Sequence, residues 1–345
     1  MRVAIVTIVS RNFGNRLQNY ALQSVLMRYC DDVLTFRRDF PPPKGFKTWV
    51  KSIAQAFLKT KGQKFKEFDK NIHFSDTVIT RNDYPSGIES QYDFFVVGSD
   101  QVWNPYYDFA AGECDFLTFA RNNQKISYAA SFGVGTLPEE RKKEFAEKLE
   151  QFKAVSVREK QGAKIVRDLT GKSAVVALDP TLLLDKNDWQ KVEKKSCCQP
   201  KRKYVFVYCL GEKTIRLQKK IEQLSKIYEI FDVGTVQKNG KELPVGPSEF
   251  VSLLKNAEVV LTDSFHATVF SIIYHKRFVT FNRAGLNMNS RIESLAELIG
   301  EKDRIDQYGD LNCETKTDYK SSDAAIEKEK EKSLDFLAKA LDDKK

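Results

Sequence analysis

The chain has 345 residues, of which 41% are hydrophobic and 12% aromatic, so its composition is that of a globular protein and excludes an intrinsically disordered one. Its net charge of +9 combines 56 basic with 47 acidic residues, and because no nucleic-acid-binding motif accompanies the charge, we predict no nucleic-acid partner. A basic surface would instead attract an anionic small substrate or an anionic membrane. The length suits two domains.

The first half of the chain alternates between strand and helix patterns. The apolar residues 3–9, "VAIVTIV", predict a strand, and a helix follows over about residues 15–29. Three further apolar strands come next, "YDFFVVGSD", "QKISYAASFG" and "AVSVRE". A helix that Gly171 stops then leads to the last strand of this half, "SAVVALDPTLLL". Short apolar strands separated by helical periodicity predict a parallel sheet covered on both faces.

The same alternation starts again near residue 203. The predicted strands are "KYVFVYCLG", "YEIFDVG", "EVVL" and "RFVTFN", with helices between them, one of which starts at Pro247. We therefore predict an α/β protein of two Rossmann-type domains, residues 1–188 and 189–345, whose parallel sheets face an interdomain cleft. Residues 321–345 predict a charged helix at the C-terminus.

An insertion over about residues 44–70 interrupts the first domain with the sequence "GFKTWVKSIAQAFLKTKGQKFKEFDK". Its lysines lie on one face of a predicted helix, and the opposite face is apolar, with Trp49, Val50, Ile53, Ala54, Phe57 and Leu58. Such a basic amphipathic helix either packs its apolar face on the parent domain or lies on an anionic bilayer. The pattern leaves both alternatives open.

The chain shows no apolar run of the roughly 18 residues that a membrane span needs, and no signal peptide precedes its first strand. We therefore expect a cytoplasmic protein, with peripheral contact at the inner face of the cell membrane if the insertion docks there. Six cysteines are scattered without metal-ligand spacing, which predicts reduced thiols and no structural metal.

Polar residues cluster where the predicted strands end, which is where open parallel sheets bind ligands. The clusters are Asn12 to Arg16 after the first strand, Gly98-Ser99-Asp100 after "FFVV", Ser131 with Gly133 after "ISYAA", Arg158 after "AVSV", and Thr262-Asp263-Ser264 after "EVVL". We expect these five clusters to face one common cleft.

Two features of these clusters suggest chemistry. Arg16, Asn19 and Gln23 share one side of the first helix, where they either bind an anion or a sugar hydroxyl or stabilise neighbouring loops. His266 follows a strand and opens a helix, and helix N-termini bind anions. Its imidazole can donate a proton near neutral pH, so His266 is the predicted catalytic histidine.

Six motifs, in this order, resemble the polysaccharide pyruvyl transferase family: "GNRLQNYALQ", "VVGSDQVWNP", "SYAASFG", "SVRE", "DPTLLL" and "LTDSFHATVFSIIY". The resemblance implies a GT-B-like fold, with the acceptor bound on the N-terminal side and the donor on the C-terminal side. It implies transfer of a pyruvyl group from phosphoenolpyruvate to a sugar of a surface, capsular or exopolysaccharide precursor, forming a pyruvate ketal. Phosphoenolpyruvate is then a co-substrate, and no cofactor or metal is expected.

The resemblance assigns catalytic roles to three residues: His266 as the acid, Asp100 as the strand-end carboxylate that accepts a proton or orients the sugar, and Arg158 as a donor-binding arginine. Ser264 departs from the family pattern, because active branches have arginine there, and Arg16, Arg283 or Arg291 must replace that cation. The expected substrate-binding residues are Asn15, Arg16, Asn19, Ser99, Gln101, Ser131, Ser264, Arg283 and Arg291.

Two other functions compete with pyruvyl transfer. One is a GT-B glycosyltransferase that uses a nucleotide sugar, and the other is an inactive glycan-binding relative in which Ser264 marks the loss of activity. The acceptor is expected to be a saccharide, and a lipid-linked one would suit the basic insertion. We further expect His266 and Arg158 to face each other across the interdomain gap.

Overall fold

The computed structural model describes residues 1–39, 61–234, 242–283, 290–306 and 318–342. Its first sheet has seven strands in the order β3-β2-β1-β4-β5-β6-β7, and every neighbouring pair is parallel. The strands are β1 (Arg2–Val6), β2 (Asp32–Arg38), β3 (Phe74–Ile79), β4 (Phe94–Asp100), β5 (Lys125–Ala130), β6 (Ala154–Val157) and β7 (Val175–Val176).

The second sheet has four parallel strands in the order β11-β10-β8-β9. They are β8 (Tyr204–Tyr208), β9 (Glu229–Asp232), β10 (Val259–Thr262) and β11 (Arg277–Thr280). All residues of β4, β5, β8 and β10 are buried, so both faces of each sheet are covered. This confirms the α/β architecture that the apolar strands predict.

Most of the helices lie between strands along the chain, and the last two follow the final strand. The helices are α1 (Phe13–Leu26), α2 (Lys61–Asp69), α3 (Glu139–Leu149), α4 (Lys160–Thr170), α5 (Lys186–Gln190), α6 (Ile215–Ser225), α7 (Pro247–Lys255), α8 (Phe265–Ile273), α9 (Ser290–Ile299) and α10 (Lys320–Ala340). Gly171, at a φ of 70°, ends α4, as the sequence predicts.

The strand expected over "SAVVALDPTLLL" is much shorter than the apolar run. Only β7 pairs with the sheet, and a 3₁₀ turn replaces the rest at Pro180–Leu182. Proline has no N–H for a sheet ladder, and the Asp179 side chain accepts a hydrogen bond from the Thr181 N–H at 3.1 Å. These two residues turn the chain away from the sheet.

Strand order reverses once in each sheet, between β1 and β4 and between β8 and β10. At such a switch point the connections leave in opposite directions, and a crevice forms beyond the carboxyl ends of the two strands. Each sheet therefore offers one crevice.

Apolar contacts join the two sheets and their helices. Phe13 of α1 stacks on Phe250 of α7, with ring centroids 4.7 Å apart. The helix α10 forms hydrogen bonds to both halves of the chain. Ser333 Oγ accepts from the Leu178 N–H in the first half at 3.0 Å, and Ser322 Oγ donates to the Ile299 carbonyl in the second half at 2.8 Å. The boundary between residues 188 and 189 stays a prediction.

The amphipathic face predicted at residues 49–58 lies outside the described residues. The end of the insertion is described as α2, and it packs on the parent fold. Phe65 stacks on Phe13 with centroids 5.4 Å apart, and Lys64 Nζ lies 3.0 Å from Glu249 Oε1. None of the described helices is long and apolar enough to cross a membrane.

Candidate functional site

The carboxyl ends of four strands surround one cavity of about 250 Å³ between the two sheets. β1 and β4 bound it on one side, and β8 and β10 bound it on the other. These are the two pairs at which strand order reverses, so both crevices contribute to one cavity. Seven of the predicted site residues line it: Asn15, Asp100, Gln101, Ser264, His266, Arg283 and Arg291.

Two helices begin at this cavity, one beside each sheet. Asn12 caps α1 by accepting from the Gly14 N–H at 2.8 Å, and Ser264 caps α8 by accepting from the Ala267 N–H at 3.5 Å. Neither first turn has an acidic side chain. Because a helix N-terminus has a partial positive charge, both helices favour an anion between them.

His266 lies in the first turn of α8 with its ring against α1. A Cβ on Gly14 would come within 2.1 Å of His266 Nδ1, so this close approach requires glycine. The other ring nitrogen, Nε2, is buried and lies 3.7 Å from Asp179 Oδ2. The imidazole is thus fixed between the start of one helix and a carboxylate.

Several partners converge on Asp179, which is fully buried. Its Oδ2 accepts from Arg158 Nη1 at 2.7 Å and from Ser99 Oγ at 3.1 Å, and its Oδ1 accepts from Thr181 Oγ1 at 2.6 Å. Burial by itself raises the pKa of this carboxyl, but His266 and Arg158 outweigh burial and hold the pKa well below its usual range.

Asp100 ends β4 in the left-handed region, at a φ of 75°, which is uncommon for a residue with a side chain. Its Oδ1 accepts from Arg158 Nη2 at 3.2 Å and from the Gln101 N–H at 2.8 Å. Its Oδ2 accepts from Asn15 Nδ2, and Asn15 accepts from the Ser10 hydroxyl. Burial raises the pKa of Asp100, but the charges of Arg158, His266 and Arg291 together outweigh burial and hold the pKa below its usual value.

Arg291, in the first turn of α9, is only 7% exposed and forms no ion pair with a carboxylate among the described residues. With the Gln101 amide oriented so that its oxygen faces Arg291, this oxygen accepts from Arg291 Nη2 at 3.0 Å, whereas Arg291 Nε is buried and has no partner among the described residues. Burial, helped by the like charge of Arg158, lowers the pKa of Arg291 to about 10. A bound anion would compensate this buried cation.

Arg283 lines the same cavity with a more accessible guanidinium. Its Nε lies 3.4 Å from Asp263 Oδ2. Asp263 also accepts from the Leu210 and Gly211 N–H groups, at 2.7 and 2.8 Å, and so connects β10 to the loop after β8. Among the described residues, Asp263 is the carboxylate that Arg283 pairs with, and the other N–H groups of the guanidinium can bind an anion in the cavity.

Arg158 lies behind the cavity and does not line it. Its guanidinium is paired with Asp100 and Asp179, and it stacks on Phe265, with Cζ 4.5 Å from the ring centroid. Arg291 lies near the same ring at 5.8 Å. On this side Arg158 lines a second cavity, of about 330 Å³. His266 and Arg158 thus both contact Asp179 rather than face each other across the open gap.

Four other predicted residues lie away from the cavity. Successive residues of a helix point about 100° apart, so Asn15 faces the cavity while Arg16 faces α2 and Asn19 faces β2. Ser99 and Ser131 are fully buried, and Ser99 binds Asp179. Arg16 donates to Asp69 at 2.6 Å, Asn19 accepts from Thr35 at 2.8 Å, and Ser131 donates to Glu159 at 3.0 Å.

Sequence reasoning missed Asp179 as a member of the site. The signal was present, because Asp179 follows an apolar run as Asp100 does, but the run is a short edge strand. It also missed the aromatic residues Tyr107 and Phe109, which line the cavity from a loop without periodicity. Among the described residues, no cluster of three or more His, Cys, Asp or Glu side chains could hold a metal ion. The expected lack of a cofactor stays a prediction.

Comparison with known proteins gives a family and a fold. The sequence model of the family described as polysaccharide pyruvyl transferase matches residues 12–285. No curated protein matched the chain.

The similar solved structures include a putative UDP-N-acetylglucosamine 2-epimerase from Listeria monocytogenes, at 11% identity and a TM-score of 0.51, with 94% of this chain and 93% of that chain covered. The UDP-GlcNAc 2-epimerase of Methanocaldococcus jannaschii matches at 14% identity and a TM-score of 0.46, over 95% and 99% of the two chains. The Listeria structure supports the fold alone, and the GT-B-type arrangement of two Rossmann-type domains is confirmed.

Proposed function

The chain belongs to the polysaccharide pyruvyl transferase family, and from this membership we propose that it transfers a pyruvyl group from phosphoenolpyruvate to a sugar. The sugar would be part of a surface or capsular polysaccharide precursor, and the product would be a pyruvate ketal. The observation that carries the proposal is Arg291, a buried guanidinium without a carboxylate partner among the described residues, in the cavity that also contains His266.

The charges around the cavity suit a small organic phosphate. Phosphoenolpyruvate carries a carboxylate and a phosphate, and each needs a cation or N–H donors once water is excluded. Arg291 and Arg283 can each take one of these groups, with the helix N-termini of α1 and α8 beside them. These two arginines would replace the cation absent at Ser264, because Arg16 is paired with Asp69.

The proposed reaction assigns roles to His266 and Asp100. His266 donates a proton to C3 of the enol, and a sugar hydroxyl adds at C2. A second hydroxyl then displaces phosphate from C2 to close the ketal, so that one hydroxyl proton replaces the one that His266 gave and the other leaves with phosphate. Because the pKa of Asp100 is low, this carboxylate is better suited to orienting the attacking hydroxyl than to holding its proton.

Arg158 would act at a distance from the donor. Its two carboxylate partners occupy both Nη atoms, and its side chain is 1% exposed. We propose that it positions Asp100 and, through Asp179, His266. It is then a positioning residue rather than the donor-binding residue that the resemblance implies.

The cavity also bears on the nucleotide-sugar alternative. At about 250 Å³ it is smaller than the roughly 300–1,000 Å³ that drug-sized ligands occupy, whereas a three-carbon acid phosphate is a much smaller ligand than a nucleotide sugar. An inactive relative would have no need to keep Arg291 buried with no carboxylate beside it among the described residues. Both observations favour the donor proposed here.

Replacing Arg291 with methionine is expected to weaken phosphoenolpyruvate binding by about 10–100-fold, because one or two charge-assisted hydrogen bonds are lost. The same change should raise the thermal stability of the ligand-free protein, because it removes a buried charge whose pKa is lowered by burial. Isothermal titration calorimetry measures the first effect and a melting curve the second.

The matched control for this variant is Arg167→Met on α4, at an exposed position. It should bind phosphoenolpyruvate like the wild type. Equal affinity in Arg291→Met and the wild type would contradict the assignment of the donor to this cavity.

We also propose that the acceptor is a saccharide, and that the protein binds a lipid-linked saccharide at the inner face of the membrane. The support is the basic, amphipathic sequence of the insertion. Deletion of residues 47–60 retains Phe65, which is buried against Phe13. This deletion should reduce sedimentation with anionic liposomes severalfold, and unchanged sedimentation would remove the membrane contact from the proposal.

A further inference from the structure

The turn after β8 has the position at which an α/β fold binds phosphate groups. β8 is the first strand of the second sheet along the chain, and it lies beside β10 at the switch point of that sheet. In such folds the glycine-containing turn after this strand binds nucleotide phosphates through backbone N–H groups. The turn here contains Gly211 and leads to α6, and its Leu210 lines the cavity. A nucleotide diphosphate would therefore be expected to bind at the N–H groups of this turn.

The side chain of Asp263 already occupies these N–H groups. β10 pairs with β8 so that Thr262 lies opposite Tyr208, and this register brings the next residue, Asp263, to the turn after β8. Asp263 Oδ1 accepts from the Leu210 N–H at 2.7 Å, and Asp263 Oδ2 accepts from the Gly211 N–H at 2.8 Å. Asp263 is 6% exposed, so a buried carboxylate of the protein takes the place of a bound anion.

Arg283 packs against the same turn. Its Nε lies 3.4 Å from Asp263 Oδ2. A Cβ on Gly211 would come within 2.7 Å of Arg283 Cγ and 3.2 Å of Asp263 Oδ2, so the glycine makes room for these two side chains. A phosphate at this turn would have to replace both N–H hydrogen bonds of Asp263, and it would meet a carboxylate of like charge. The arrangement therefore disfavours a second anion at the turn.

We propose that Asp263 is a specificity-determining residue, which excludes nucleotide diphosphates from the cavity because its own carboxylate fills their N–H site. It leaves the other N–H groups of Arg283 to a smaller donor that contains no nucleotide. The identity of that donor rests on the proposed function. The exclusion of nucleotides is a property of the turn after β8, and it does not require phosphoenolpyruvate to be the donor.

Isothermal titration calorimetry with uridine diphosphate tests this exclusion on the full chain. Asp263→Ala should strengthen the binding of uridine diphosphate about tenfold, because the change frees two N–H donors and removes a negative charge from their site. Asp263→Asn keeps the shape of the side chain and removes only its charge, so it should change the affinity in the same direction by a smaller factor. A melting curve shows whether each variant is folded.

Asp232→Ala is the matched control. Asp232 ends β9 of the same sheet, accepts from the Gly234 N–H at 3.0 Å and pairs with Lys213, but it is not among the described residues that line the cavity. This variant should bind uridine diphosphate as weakly as the wild type does. If neither Asp263 variant binds uridine diphosphate more tightly than the wild type, or if Asp232→Ala gains as much as they do, the role of Asp263 is overturned.

Calorimetry with phosphoenolpyruvate on the same samples separates the two proposals. If the wild type binds neither ligand but Asp263→Ala binds uridine diphosphate, the proposed donor is rejected and the role of Asp263 is kept. If the wild type binds phosphoenolpyruvate and neither Asp263 variant gains affinity for uridine diphosphate, the proposed donor is kept and the role of Asp263 is rejected.

Discussion

His266→Gln is expected to lower kcat by about 10²–10⁴-fold, the range that a positioned general acid contributes. Glutamine keeps a polar side chain of similar reach between Gly14 and Asp179, but it cannot donate a proton to carbon. The fold should persist, since in the part of the chain that the structure describes the imidazole Nε2 has no hydrogen-bond partner and lies 3.7 Å from Asp179 Oδ2. Phosphate release from phosphoenolpyruvate in the presence of a saccharide acceptor measures the effect.

His275→Gln provides the control, because His275 lies just beyond the other end of α8 and pairs with Asp323 at 3.0 Å. It should turn over like the wild type. Wild-type turnover by His266→Gln, in a sample with an unchanged melting temperature, would remove His266 from the chemistry.

Asp179→Asn is expected to lower the free energy of unfolding by about 3–5 kcal/mol, because it leaves the buried Arg158 with only one carboxylate. Urea denaturation measures this loss. Activity should fall as well, since His266 Nε2 loses the carboxylate that lies 3.7 Å from it. Asp76→Asn, at an exposed position on β3, should change neither quantity.

The cost of Asp179→Asn should depend on pH in one direction. The folded pKa of Asp179 lies well below its value of about 3.9 in the unfolded chain, so its stabilisation is fully present above that value. It is lost as the pH falls toward the folded pKa. The difference in stability between wild type and variant should therefore be constant from about pH 5 upward and shrink below about pH 4. A difference that grew in acid would contradict the ion pairing of Asp179.

The strand-end rule predicted most of the cavity. Asn15, Asp100 and His266 each follow a buried apolar run, and the parallel pairing of β1 with β4 and of β8 with β10 brings these ends together. Apolar runs are a local property of the sequence. The fold class and the location of the site could therefore be predicted without coordinates.

The direction of each side chain could not be predicted in the same way. Arg16 and Asn19 share the first helix with Asn15, yet they point to Asp69 and Thr35, because the rotation of α1 is set by its packing against α2 and β2. Arg158 turns toward Asp100, 58 residues earlier, and Asp179, 21 residues later. Such pairings depend on tertiary contacts, which a single sequence does not reveal.

The most direct test of the account is mass spectrometry of saccharides with neighbouring free hydroxyls, after incubation with the wild-type protein and phosphoenolpyruvate. We predict that one saccharide gains the mass of a pyruvyl ketal while an equal amount of phosphate appears, and that His266→Gln slows both by the same factor as it lowers kcat. If phosphoenolpyruvate stays intact while a nucleotide sugar is consumed and its glycosyl group appears on the saccharide, the proposed reaction is wrong.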